Sequence, residues 1–352
     1  EYRGVALVAA CARGRHVLLN RPSVPASRRS SRAWPPGLGA WLSSLTARLR
    51  MEIQRVFEDA LELHPSANQV GVVPLRVAPG KDRWGNATVG PATAAELLRR
   101  PLKLLLENRR NDLAFLLRMA EPSARKRLRG ALERGWVEPE MGGGLTELKR
   151  RLESLREPSN TTDYIALARL WVMFDRDAST DDRSRPSKIS DETRATCCAL
   201  MKPWPLAHHQ LTRRSIESYV PAKTIGEWWP EQVSSQKEKQ RRRRRAEAFL
   251  RRQQDGGLRR EARHSFNFKK GLGGDQNEPR QDLERAKQAL TDEDLDPLFR
   301  GLHSDVREAL TRGFPGLAEA FSTEGAIQED AFRREVDASE RAQLLASLFS
   351  RL

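Results

Sequence analysis

Apolar positions follow two rhythms along this chain of 352 residues. Between 41 and 66 they recur at helical spacing, at Leu42, Leu45, Leu49, Ile53, Val56, Phe57 and Leu61, which predicts an amphipathic helix with one break. From Ala94 to Leu155 the same spacing returns at Leu97, Leu98, Leu102, Leu104, Leu105, Leu113, Phe115 and Leu116. This stretch reads as a set of helices punctuated by Pro101, Pro122 and the run Gly142-Gly143-Gly144. Shorter, continuous apolar runs predict strands: Val5 to Ala10, with a turn and a second run from Gly14 to Leu19; Gly71 to Val77, closed by Pro79-Gly80; Tyr164 to Phe174; and His208 to Leu211. Residues 21–40 are too rich in Pro, Ser and Arg to pack and form a loop. A polar loop from Asp181 to Ser190 leads into a helix from Thr193 to Met201, with Ser190-Asp191-Glu192 supplying cap chemistry. From Asp282 to Leu352 the spacing is helical again, at Leu295, Leu298, Phe299 and Leu302 and later at Leu344, Leu345, Leu348 and Phe349, which predicts a small capping bundle. Helices running between strands in this way match the crossovers of a parallel sheet, so the fold class is α/β.

The strand predicted from Tyr164 stops on Asp175 and Asp177. Side chains alternate along a strand, so residues two apart leave the same face, here where the strand gives way to a loop. Strand ends in open α/β sheets are where ligands and ions sit. Two neighbouring carboxylates repel each other, and a hard divalent cation relieves that cost. A solvated Asp-x-Asp turn is the bland alternative.

Downstream, residues 208–221 read His-His-Gln-Leu-Thr-Arg-Arg-Ser-Ile-Glu-Ser-Tyr-Val-Pro. With the strand ending Phe-Asp-Arg-Asp-Ala, this pattern resembles the Toprim-like domains of phage-defence proteins, which also occur fused to ATPases in the overcoming-lysogenization-defect nucleases. The resemblance covers roughly residues 160 to 230, with a fainter echo at Arg263 to Gly271. It implies a small, mostly parallel sheet flanked by helices, with helical additions. It also implies Mg²⁺, or Mn²⁺, bound by the Asp-x-Asp pair and by a glutamate that ends the first strand and is usually followed by glycine. Carried over, Asp175 and Asp177 take the paired positions and are catalytic and metal-binding, and Glu217 takes the acidic position of Ile-Glu-x-Tyr. No Glu-Gly of that kind precedes Asp175, so the first strand and its glutamate are expected before residue 1. On this reading residues 1–230 form the core with a helical insertion at about 41–155, 231–263 form a basic polar linker or helix, and 264–352 a mainly helical region. His208 to Leu211 would bring Arg213, Arg214 and Glu217 to the same edge as the aspartates. There Arg213, Arg214 and Lys188 would bind phosphate, and Glu217, a catalytic candidate, would bind metal through water or fix a ligating group. A helix-end carboxylate paired with Arg213 or Arg214 is the plainer alternative for Glu217.

The formal net charge of +15 favours a polyanion, and nucleic acid, DNA or RNA, is the partner it points to. Hydrophobic residues at 38% and charged residues at 31% leave part of the chain without a core to join. Arg241, Arg242, Arg243, Arg244 and Arg245 form a run that reads as a phosphate-contacting arm or a solvated helix face. Phe266 and Phe268 alternate before Lys269 and Lys270, so these two lysines are nucleic-acid candidates, with an edge strand packing its phenylalanines as the alternative. Three cysteines, Cys11, Cys197 and Cys198, form neither a disulfide framework nor a zinc pattern, which fits a reducing cytoplasm. No apolar run is long enough to span a bilayer. There is no Walker A loop, so ATPase activity would come from a partner chain. His208 and His209 are adjacent and point to opposite faces of a strand, which argues against a shared metal. The reading is a metal-dependent nuclease of anti-phage defence. The alternatives are a catalytically inactive nucleic-acid binding or sensor module, and an effector that acts only with a separate ATPase.

Overall fold

The computed structural model describes residues 43–51, 53, 76–78, 80–178, 186–200, 205–254, 264, 266–269, 271, 310, 312–349 and 351. Its centre is a four-stranded parallel sheet of β3 (Leu102–Leu106), β4 (Val137–Met141), β5 (Leu170–Phe174) and β6 (Ala207–Gln210), in the order β4-β3-β5-β6. Upstream, β1 (Arg76–Val77) and β2 (Thr88–Val89) pair in parallel as a small separate ladder.

The sheet corrects the reading of 94–155 as helices alone, since β3 and β4 both lie in that stretch. A parallel strand covered on both faces has no polar side to alternate with, so it reads as a continuous apolar run. Leu-Lys-Leu-Leu-Leu is such a run, and its length and bounding residues, Pro101 and Glu107-Asn108, are those of a strand. The helices are α1 (Pro91–Arg99), α2 (Arg109–Met119), α3 (Pro122–Glu133), α4 (Leu145–Glu153), α5 (Thr161–Ala168) and α6 (Lys188–Ala199). The strand predicted from Tyr164 is therefore helix α5 followed by β5, and α6 begins at Lys188 with Ser187 as its cap, accepting the Ser190 amide at 3.2 Å. Calls on residues 1–40, on most of 41–75, on Asp181 and Asp182, and on 272–309 lie outside the described residues.

Helices cover both sheet faces. Leu104 and Leu106 of β3 and Trp171 and Met173 of β5 pack with Phe115, Leu116 and Met119 of α2 and Leu128 of α3. On the other face Leu105, Val172 and Phe174 pack with Leu145, Leu148 and Leu152 of α4 and Cys197 of α6. Residues after 230 join the first of these cores. The basic segment is a helix, α7 (Gln236–Gln254), which buries Ala246 and Phe249. Phe249, Phe266, Phe268 and Phe314 form one aromatic cluster with ring centroids 5.0 to 6.0 Å apart. Phe266 and Phe268 thus sit in a core, not on the predicted edge strand. Helices α8 (Glu329–Glu335) and α9 (Ala338–Phe349) close the chain, with α9 laid along β6. Glu340 of α9, buried, accepts hydrogen bonds from the Thr212 amide at 2.8 Å and the Tyr219 hydroxyl at 2.5 Å. Among the described residues no helix is long and apolar enough to cross a membrane.

Candidate carboxylate site at the sheet edge

Strand order in the sheet reverses between β3 and β5: from β3 the chain steps outward to β4, then returns past β3 to β5 and continues to β6. At such a switch point the loops leaving the two central strands diverge to opposite faces and open a crevice at the carboxyl ends. β3 ends there on Glu107 and β5 on Asp175. The Asp175 amide donates to Glu107 Oε1 at 2.8 Å, which ties the two strand ends together.

Each member is placed by local structure. Asn108 stops β3 and caps α2, its side chain accepting the Arg110 and Asn111 amides at 3.2 and 3.1 Å. Asp112 answers by accepting the Asn108 amide at 2.8 Å, a reciprocal cap that fixes the turn after Glu107. After β5, the Asp175 carbonyl accepts from Ser190 Oγ at 2.7 Å, and Ser190 Oγ accepts from Gln210 Nε2 at 2.8 Å. Asp177 stands at φ 46°, in the left-handed region, where a short acidic side chain is tolerated. Its amide donates to the Arg214 carbonyl at 2.9 Å. Because the strand ends at Phe174, the alternation that would give both aspartates one face does not extend to Asp177. Glu217 lies on a 3₁₀ turn, Ile216–Tyr219, and is buried, with Oε2 lacking a hydrogen-bond partner.

Lys269 enters from the C-terminal part of the chain, its Nζ 3.3 Å from Asp175 Oδ2. The segment carrying it is threaded against 310–314: the Phe314 amide donates to the Phe268 carbonyl at 2.5 Å. Gly313 permits that approach, since a Cβ there would fall 2.4 Å from Lys269 backbone atoms. Gly271, at φ 79°, lies against the same backbone, where a Cβ would fall 2.4 Å from the Arg312 carbonyl carbon.

The electrostatics follow from burial and crowding. Burial, then the charge of Glu107, holds the Asp175 carboxyl well above the usual range, against the pull of Lys269. Burial also raises Glu107, with Asp177 and Glu217 adding to the rise. Asp112 is raised to about 7, by burial first and then by Glu107 and Glu217. Lys269 is pushed up: burial opposes its charge, but Asp175, Glu217, Glu107 and Asp177 together outweigh that cost. Five carboxyl groups therefore share one field with one lysine.

Of the residues singled out from sequence, Asp175, Asp177 and Glu217 come together at this edge. Lys269 does too, paired with Asp175. Lys188 is exposed on the first turn of α6. Arg214 donates to the Ala178 carbonyl at 2.9 Å and so braces the aspartate loop. Arg213 is corrected: it is buried, lies 4.4 Å over the Tyr219 ring, and donates to the carbonyls of Ser218 and Glu335, so no phosphate reaches it. The arginine run divides. Arg242 stacks 4.7 Å from the Trp229 ring centre, and Arg245 donates to the Gly313 carbonyl at 2.7 Å, both structural roles. Arg241 and Arg243 pair with Glu238 and Glu231 at 3.7 and 2.6 Å, and Arg244 is exposed. Lys270 lies outside the described residues.

Glu107 and Asp112 escaped the sequence reading. They were hidden because the strand that ends before Glu107 reads as helix. An apolar run of strand length ended by Glu and then by the helix cap Asn108 was the available signal. Among the described residues, no three His, Cys, Asp or Glu side chains are arranged to ligate one ion as they lie. No family model, curated protein or solved structure matches the chain.

Proposed function

We propose that the sheet edge is a divalent-metal site for hydrolysis of phosphodiester bonds in nucleic acid. The observation that carries this reading is the junction of Glu107 and Asp175 at the switch point, joined at 2.8 Å, beside a buried Glu217 oxygen with no partner. Crowded carboxylates with an orphaned oxygen are costly to keep, and a cation offsets the cost. The donors are all oxygen, which fits Mg²⁺ or Mn²⁺ and not a softer metal. Glu107, Asp175, Asp177 and Glu217 are the residues that would hold it. The site also fits the Toprim-like resemblance. Glu107 stands where that family has a strand-ending glutamate, with Asn108 in place of the usual glycine.

When bound, the cation supplies polarisation of the phosphoryl oxygen and a source of nucleophile at neutral pH. The chain's own groups do the rest. Lys269 presents a fixed positive charge at the edge, where negative charge develops on the phosphate. The Ser190 and Gln210 hydrogen bonds hold the Asp175 backbone in register. A role in anti-phage defence, and dependence on a separate ATPase chain, follow from the resemblance alone.

The test is cleavage of end-labelled single-stranded DNA and RNA with Mg²⁺, Mn²⁺ or EDTA. Metal-dependent cleavage lost in both Glu107→Gln and Asp175→Asn supports the site. Cleavage that both variants retain removes it, and binding without cleavage under any metal favours the inactive binding module.

A further inference from the structure

We infer that Lys269 is a built-in competitor for the divalent cation: its ammonium holds Asp175 in the place of the ion, and the edge takes up metal only as the lysine lets go. This is a regulation of the carboxylate site proposed above and rests on that reading.

The groups that would ligate the ion are the ones that hold the lysine. Lys269 Nζ stands 3.3 Å from Oδ2 of the buried Asp175. Its charge favours the ionised forms of Glu107 and Asp112 as well as Asp175, and it is itself stabilised by Asp175, Glu217, Glu107 and Asp177. An ion about 2.1 Å from either Asp175 oxygen would lie within one screening length of Nζ, about 10 Å at about 0.1 M salt. Two cations that close repel, and more strongly where burial thins the water between them.

The lysine compensates the cluster only in part. Glu217, 6% exposed and within the same field, keeps Oε2 without a hydrogen-bond partner while Lys269 sits on Asp175. A divalent ion brings twice the charge and gathers about six oxygens, so it can satisfy what one ammonium leaves over. The side chain can leave while its backbone stays. It is 57% exposed, so Nζ can turn to solvent about its own bonds. The Lys269 amide donates to Asn267 Oδ1 at 3.1 Å, and its neighbour Phe268 is locked in the aromatic cluster, with its carbonyl accepting the Phe314 amide at 2.5 Å. A competitor tethered in this way acts at an effective concentration that dilution does not change. Released from Asp175, the ammonium stays at the edge, so the phosphate role given to it above is kept.

The experiment is calorimetric titration of the full chain with Mn²⁺ at one pH and salt, comparing the parent with Lys269→Met, Lys269→Gln and Lys269→Arg, and with Asp175→Asn as the control that removes the site. The two neutral variants should bind Mn²⁺ at least about tenfold more tightly than the parent, because the ion no longer works against a nearby ammonium. Lys269→Arg keeps the charge and should stay within about threefold of the parent. In EDTA the neutral variants should melt below the parent, and saturating Mn²⁺ should raise their melting temperature by more than it raises the parent's. Equal or weaker Mn²⁺ binding by folded neutral variants, with the parent binding and Asp175→Asn not, overturns the competition and leaves the metal site standing. Neutral variants that stay unfolded even in saturating Mn²⁺ overturn it as well, because a placeholder is dispensable once the ion is present. Absence of binding in every chain removes the metal site and the competition with it.

Discussion

Two charge-rich regions of this protein stand in opposite states. On α7 and its surroundings, five consecutive arginines are largely absorbed: Arg242 and Arg245 by Trp229 and a backbone carbonyl, Arg241 and Arg243 by nearby glutamates. At the sheet edge, Glu107, Asp112, Asp175, Asp177 and Glu217 face a single lysine, and one buried oxygen has no partner. The run of charge that is conspicuous in the sequence is mostly structural. The inconspicuous one, scattered over 163 positions from Glu107 to Lys269, is left uncompensated. Buried polar atoms without a hydrogen-bond partner occur in both regions, Arg242 Nε on α7 and Glu217 Oε2 at the edge, so what sets the edge apart is the crowding of like charge in a buried setting.

That contrast can be broken most sharply at the edge. Replacing Glu107 by Gln together with Asp175 by Asn keeps the shapes and removes the repulsion. Cleavage should fall by about 10³-fold or more while the melting temperature holds or rises. Loss of activity through unfolding, seen as a lowered melting temperature, would mean that the carboxylates serve stability like the arginines.

The next largest effect is at Arg213, which belongs with the satisfied group despite its place beside the site. Arg213→Gln should cost about 2 to 4 kcal/mol in urea unfolding, because the carbonyls of Ser218 and Glu335 lose their donors in a buried setting. A stable variant with weakened phosphate binding would return it to the site.

Asp112 offers a pH test. Its carboxyl is raised to about 7 in the fold, so between its ordinary value near 3.8 and about 7 the folded chain holds the proton and the unfolded chain releases it. Stability contributed by this group therefore falls as pH rises through that window, in proportion to the protons held only by the fold. Asp112→Asn still accepts the Asn108 amide and should flatten the decline in melting temperature between about pH 5 and about pH 7. A slope as steep as that of the parent chain would place Asp112 outside the shared field. The smallest effect is at Arg244, exposed on α7, where Arg244→Gln should change stability by less than about 0.5 kcal/mol. A larger loss would show that the arginine run is structural throughout.

How much of this was legible depended on whether a signal was local. β5, β6 and the aspartates that follow β5 were visible because an apolar run ending in Asp-x-Asp carries its information within a few residues. β3 was not, because burial on both faces erases the alternation that separates strand from helix, and Lys103, its second residue, deepened the ambiguity. Glu107 was lost with it. Lys269 was recognised as a cation, but its partner is 94 residues away, and that contact depends on Gly313 admitting the chain. Arg213 was misassigned for the converse reason: sequence puts it next to the edge, and only tertiary packing turns it into the core.

The central claim is that the edge is incomplete without a divalent cation, and calorimetric titration of the full chain with Mn²⁺ tests it most directly. The account requires saturable binding to the parent chain, and loss of that binding in Asp175→Asn. No binding to the parent chain, or equal binding to the variant, would contradict it.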